Sequence, residues 1–166
     1  MAQWASAFTE SALHVSKTVG DLAGPCLFAV LMGGARVLYS RLSAKTDLTR
    51  FMLFSGILCV ACYLLASLAV SPVLGLVGCA VCGFSVGIMW PGTISTAAQA
   101  CPTGGTAMFA LLALAGDLGG SLGPSVVGTV SGAAGDNLKL GLLAAIIFPV
   151  LLIAGITWIR HRKNQI

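Results

Sequence analysis

Charged residues are scarce in this chain: nine Lys and Arg and five Asp and Glu, 8% of 166 residues. A soluble domain carries about 25%, because it must cover itself with a wettable surface. That scarcity excludes a water-soluble globular fold. It also leaves no basic face for nucleic acid, and no aromatic platform or reader motif takes its place. Catalytic patterns are missing too. His14 and His161 stand alone near the two ends, and there is no HExxH and no nucleophile elbow. The stretch "TGGTAMF" is glycine-rich but lacks the rest of a phosphate-cradling loop. No enzyme, cofactor or metal site is expected. The opening "MAQWASAFTESALHVSK" lacks the basic start and short apolar block of a signal peptide.

Apolar residues dominate instead, at 57%, with a mean hydropathy of +0.97. Several runs reach the ~20 residues that cross a hydrocarbon core about 30 Å thick. The chain therefore reads as an integral membrane protein with five spans. They are placed at about Val19–Tyr39, interrupted by Pro25; Phe51–Val70; Val73–Ala98, containing Pro91; Gly105–Val130, containing Asp117 and Pro124; and Leu138–Ile159. Each must be a helix, since a helix satisfies its own backbone hydrogen bonds in lipid and an open strand does not. Six cysteines, Cys26, Cys59, Cys62, Cys79, Cys82 and Cys101, lie mostly within these runs. The two CxxC spacings sit in "GILCVACYLL" and "VGCAVCGFS", flanks too apolar for zinc or redox chemistry. They read as small apolar membrane residues.

Orientation follows from the basic residues. Arg41, Lys45 and Arg50 fall after the first span and Arg160, Arg162 and Lys163 after the fifth, which places both groups on one side. Lys17 and Lys139 fall on the other. Six against two makes the first side cytoplasmic, with the C-terminus inside. Residues 1–17 then form the outer tail of a truncated transmembrane helix, and 18–166 a five-span bundle with a cytoplasmic tail.

Small residues mark two faces. In the third span Gly75, Cys79, Gly83, Gly87, Pro91 and Ser95 recur every four residues; in the fourth, Gly116, Gly120, Pro124 and Gly128 do so, with Gly119 and Gly123 alongside. Such faces let helix backbones approach closely, for static packing or for packing that slides. Pro91 and Pro124 weaken the helical ladder and permit bends. Asp117 lies near mid-span, where a carboxylate faces either a solute path or a neighbouring helix. It is expected to sit in a wet gap left by tightly packed glycine faces. Arg36, about a turn before its cytoplasmic end, either snorkels to the interface or reaches a polar gap near an inner gate. Trp90 stands beside the kink at Pro91, and Gln3 and Trp4 sit deepest on the partial helix. Aromatic residues with a polar handle suit sugar-like ligands, and suit packing equally.

The loop "ARVLYSRLSAKTDLTRF" resembles the degenerate motif between the eighth and ninth helices of major facilitator superfamily transporters. Leu42 and Lys45 match that motif, while Ser40 replaces its glycine and Ala44 its acid. "GCAVCGFSVGIMWPGTIS" resembles the tenth helix of that fold and "ALAGDLGGSLGPSVVG" the eleventh. The nearest subgroup is the fucose-permease-like sugar and proton symporters, which "QWASAFTE" also resembles, at the end of the seventh helix. The resemblance implies an all-α polytopic membrane bundle. It would be the C-terminal six-helix half of a major facilitator fold with its first helix truncated, in a bacterial plasma membrane. It implies secondary active transport of a small polar solute, sugar-like, by alternating access. The partners would be the lipid bilayer, that solute, the missing N-terminal half or an equivalent chain, and the proton as coupling ion. Alone, these residues would lack the other wall of the cavity. By the same resemblance Gln3, Trp4, Trp90 and Asp117 contact substrate, and Arg36, Arg41 and Lys45 serve the gate or the cytoplasmic loop. The alternative is a non-transporting assembly protein whose glycine faces bind partner helices.

Overall fold

The structure, a computed structural model, describes Ser6, Glu10 and residues 16–42, 47–69 and 71–163. Every regular element among them is helical: α1 (Lys17–Leu42), α2 (Leu48–Leu68), α3 (Pro72–Val86), α4 (Met89–Ala100), α5 (Gly105–Ala133), α6 (Leu138–Ala144) and α7 (Ile147–Lys163). The expected partial helix over 1–17 lies outside the described residues except at Ser6, Glu10, Ser16 and Lys17. Leu48–Leu68, Val73–Ala100, Gly105–Ala133 and Leu138–His161 are each long and apolar enough to cross a membrane. The 26 residues of α1 reach about 39 Å at the helical rise.

The five segments expected as spans hold seven helices because two of them break, and proline sets where. A proline offers no N–H to the carbonyl four residues back. Pro91 leaves Gly87 without that donor, and the chain turns at Gly87 and Ile88, between α3 and α4. Pro149 does the same to Ala145, and the fifth span turns at Ala145 and Ile146. The second break was not expected from the sequence. Conversely, the interruption expected at Pro25 does not occur, and Pro124 also sits inside an unbroken helix. One lost ladder bond is tolerable in a membrane span where local adjustment satisfies the freed groups again.

The helices pack in a chain of neighbours: α1 on α3, α3 on α2, α2 on α6 and α7, and α5 on α6. Glycine permits the two closest of these contacts. A Cβ on Gly83 would overlap the Phe28 carbonyl, and one on Gly87 would lie 2.6 Å from the Met32 oxygen and 2.8 Å from the Ala35 Cβ. So α1 and α3 meet backbone to backbone. The other contact is α5 on α6, where Gly141 meets the Val127 carbonyl. Between them lie two cores. Phe28, Cys59, Cys62 and Cys82 form one, flanked by Met32, Leu58 and Met89; Ala66, Cys79, Val127, Leu142 and Ala145 form the other. The CxxC cysteines thus fill helix interfaces as small apolar side chains, with Cys59 and Cys82 Sγ atoms 3.9 Å apart.

Both ends are fastened. Asp47 caps α2 by accepting from Thr49 N at 3.1 Å, and the Tyr39 and Phe51 rings meet at 5.1 Å across the α1–α2 connection. At the opposite end Asn137 caps α6 through Lys139 N at 3.1 Å, after a turn with positive φ at Gly135 and Asp136. There Lys139 Nζ donates to the Ala69 carbonyl at 2.7 Å, tying α6 to the end of α2. Outward-facing leucines and valines, among them Leu22, Val30, Ile57, Leu68, Leu111 and Leu151, stay exposed. A surface this apolar calls for hydrocarbon rather than water as its solvent.

The glycine face of α5 departs from expectation. Gly119, Gly120 and Gly123 meet nothing within 4 Å of a Cβ position among the described residues. Only 6% of the apolar stretch of α5 is buried, against 50% for Val73–Ala100. A period of four identifies a face that can be packed; it does not supply the partner.

Candidate functional site

Two places collect the sequence candidates. The first lies on α5. A Cβ on Gly116 would stand 2.7 Å from the Trp90 ring, so that indole rests directly on the residue before Asp117. Trp90 is 44% exposed even so, leaving ring surface available. Asp117, Ser121, Ser125 and Thr129 follow at intervals of four as an exposed slanting line. The hydroxyls serve their own helix: Ser121 Oγ donates to the Asp117 carbonyl at 2.9 Å, Ser125 Oγ to Ser121 O at 2.7 Å, and Thr129 Oγ1 to Ser125 O at 2.8 Å. In lipid such back-bonding makes a hydroxyl tolerable. The carboxylate has no such outlet. Among the described residues Asp117 is in no ion pair, and it is exposed rather than enclosed by packed glycines. Among the described residues, the wet gap expected beside it is therefore not formed by helix packing.

The second place is the break before α4. Arg36 projects from α1, and its Nε donates to the Gly87 carbonyl at 3.0 Å. That carbonyl is the one Pro91 leaves without its helical donor. The corresponding carbonyl at the second break, Ala145, takes the Phe148 N–H at 3.2 Å instead. Arg36 thus spans from one helix to the gap in another. Beside it opens a cavity of about 270 Å³ lined by Arg36, Tyr39, Leu48, Ile88, Pro91, Gly92 and Ser95. The cavity was missed in the sequence, although a glycine four residues before a proline, opposite an arginine-bearing span, was its available signal.

Arg41 is exposed in the last turn of α1, where a cation suits the helix C-terminus. Gln3, Trp4 and Lys45 lie outside the described residues. The structure thus brings Trp90 to Asp117 and Arg36 to the α3–α4 break, and leaves Arg41 at the rim.

A family model described as Major Facilitator Superfamily matches residues 1–124. The chain belongs to the major facilitator superfamily. The match covers every candidate residue named above and extends through α1, α2, α3, α4 and α5 as far as Pro124. No curated protein and no solved structure matches the chain. Members of this superfamily move small solutes across membranes and are transporters rather than enzymes. The protein is accordingly an integral, multi-pass membrane protein of a transport family, and its break and its α5 face are to be read in that light.

Proposed function

We propose that the chain forms one wall of a secondary active transporter for a small polar solute of sugar-like character, with Asp117 and Trp90 as its contacts. The observation that carries this is the exposed carboxylate of Asp117 at mid-span, in no ion pair among the described residues and one residue past the glycine on which the Trp90 ring lies. A carboxylate at the bilayer centre costs about 2.5–3.5 kcal/mol on insertion scales, so a water-filled path is the environment that removes the cost. The ring beside it offers a stacking surface with hydrogen-bonding groups close by.

In this proposal α1 to α7 correspond to helices eight to twelve of a fucose-permease-like symporter, and a second bundle provides the facing wall. The Arg41, Lys45 and Arg50 end is cytoplasmic, in a bacterial plasma membrane, and the coupling ion is the proton. Support comes from the order of the loop, tenth-helix and eleventh-helix motifs and from the bias of Lys and Arg toward one end.

A second reading rests on the open glycines. Gly119, Gly120 and Gly123 suit the close approach of another helix, which would make α5 an assembly surface. Asp117→Asn in the complete transporter separates the two. Normal membrane insertion with binding of the solute lost by about tenfold or more supports the solute site. Unchanged solute binding with defective assembly supports the packing surface and overturns the first reading.

A further inference from the structure

We propose that the cavity at the α3–α4 break is a binding site for a small organic anion, a carboxylate on an apolar body, held by Arg36. Only one guanidinium N–H is spent on Gly87; an arginine carries five in a fixed fork, so donors remain on a side chain that also lines the cavity. Among the described residues no acid is in an ion pair with Arg36. The chain has five acids: Glu10, Asp21, Asp47, Asp117 and Asp136. Asp47, nearest to the lining residue Leu48, caps Thr49 N and pairs with Arg50 at 4.0 Å. Asp21 is fifteen positions earlier on α1, about 22 Å along the helix axis. Asp136 lies in the turn at the other end of α5, and among the described residues Asp117 is in no ion pair. The four residues joining α1 to α2, "SAKT", contain no acid and add a lysine.

The lining defines the rest of the ligand. Leu48, Ile88, Pro91 and Gly92 present apolar surface, with the Ser95 and Tyr39 hydroxyls as the other polar groups. A volume of about 270 Å³ lies just under the ~300–1,000 Å³ usual for small-molecule sites. A bare inorganic ion would leave this apolar wall unused, while a neutral solute would leave the guanidinium without a counter-charge. Arg36 is also well oriented for the task. Its Nε bond to a carbonyl at the break fixes the plane of the fork, which favours two-point recognition of a carboxylate.

The test is direct binding, read without transport, so it stands apart from the fate of the Asp117 reading. Benzoate serves as probe and benzamide as its neutral counterpart, measured by equilibrium dialysis against the purified full chain in detergent micelles. Arg36→Gln is the informative variant. Its amide nitrogen occupies the place of Nε and can keep the bond to Gly87, while the charged fork is gone. Saturable benzoate binding, weakened about ten- to a hundredfold in Arg36→Gln and by a smaller factor in Arg36→Lys, which keeps the charge but loses the fork, is expected. Ser95→Phe, which leaves Arg36 untouched and fills the cavity, should abolish binding, and benzamide should not saturate. Thermal unfolding confirms that each variant is folded; if Arg36→Gln is not, Ser95→Phe decides alone. Benzoate binding equal in the wild type and Ser95→Phe, or no saturation at millimolar concentrations in the folded wild type, overturns the proposal.

Discussion

Arg36 and Pro91 should be energetically coupled although they sit on different helices. Pro91 withholds an N–H from the Gly87 carbonyl, and Arg36 Nε supplies one at 3.0 Å. Replacing Arg36 with Met keeps an unbranched apolar side chain that reaches the position of Nε but donates nothing. Interhelical hydrogen bonds within membranes average about 0.6 kcal/mol and reach ~1.7 kcal/mol. This one has a charged donor, and its acceptor has lost its helical partner, so the cost of Arg36→Met should fall at the upper end, about 1.5 kcal/mol. Pro91→Ala changes the context. Alanine returns an N–H four residues after Gly87, and the α3–α4 break can close into continuous helix. In that background Arg36→Met should cost less than about 0.5 kcal/mol, a coupling of about 1 kcal/mol across the cycle. The four proteins can be compared by SDS-titrated unfolding in micelles, with helix content followed by circular dichroism. Equal costs of Arg36→Met in both backgrounds, within about 0.3 kcal/mol, would refute the idea that proline creates the acceptor this arginine serves.

Gly83→Ala should destabilise the bundle by about 1–3 kcal/mol in the same assay, because its new methyl overlaps the Phe28 carbonyl. Gly33→Ala, on the partner helix with nothing within 4 Å, should be neutral or stabilising by up to ~1 kcal/mol, and a reversed ranking would mean α1 and α3 do not meet as described. For orientation, exposed Cys101 lies just after α4, at the end proposed to be cytoplasmic. A membrane-impermeant maleimide should label it in inside-out vesicles and not in intact cells, with Cys101→Ala removing the signal. Labelling from outside would invert the proposed topology.

How much of this the sequence disclosed depends on the kind of physics involved. Hydropathy located the spans well: Phe51–Val70 became Leu48–Leu68 and Gly105–Val130 became Gly105–Ala133. A long apolar run has one solution in lipid, so little context is needed. Partnerships were less legible. The ladder of the third span reads as one face, yet the structure divides it. Gly83 and Gly87 meet α1, whereas a Cβ on Gly78, one residue off the ladder, would stand 3.1 Å from the Cys62 carbonyl, and one on Gly92 would stand 2.7 Å from Met52 Sδ, both on α2. Spacing says which residues share a helix face; only tertiary structure says what lies opposite. Arg36 stayed ambiguous for the same reason, since the acceptor that draws it inward belongs to a helix fifty residues on. The break at Ala145 was readable in principle from Pro149, by the rule that explains Gly87 and Pro91.

The contrast between α3–α4 and α5 bears most directly on how a transport cycle would use this bundle. The third span is interlocked: Gly83 and Gly87 admit α1 so closely that neither helix can slide without losing contact. Its break at Gly87 is bridged by Arg36, so bending there is tied to the position of α1. Along α5 Gly119, Gly120 and Gly123 stand clear of the described residues, and packing concentrates near its C-terminal end, where Val127 and Ser131 are buried and Gly141 of α6 is received. A helix anchored at one end and open along the rest can tilt against the remaining bundle at small cost in buried surface. It also exposes Leu111, Leu114, Leu118 and Leu122 together with Asp117. Lipid suits the leucines and water suits the carboxylate, so neither solvent alone suits this helix. A position between bilayer and hydrated path satisfies both, and tilting about the Val127–Gly141 contact would alter how much of the polar line is wetted.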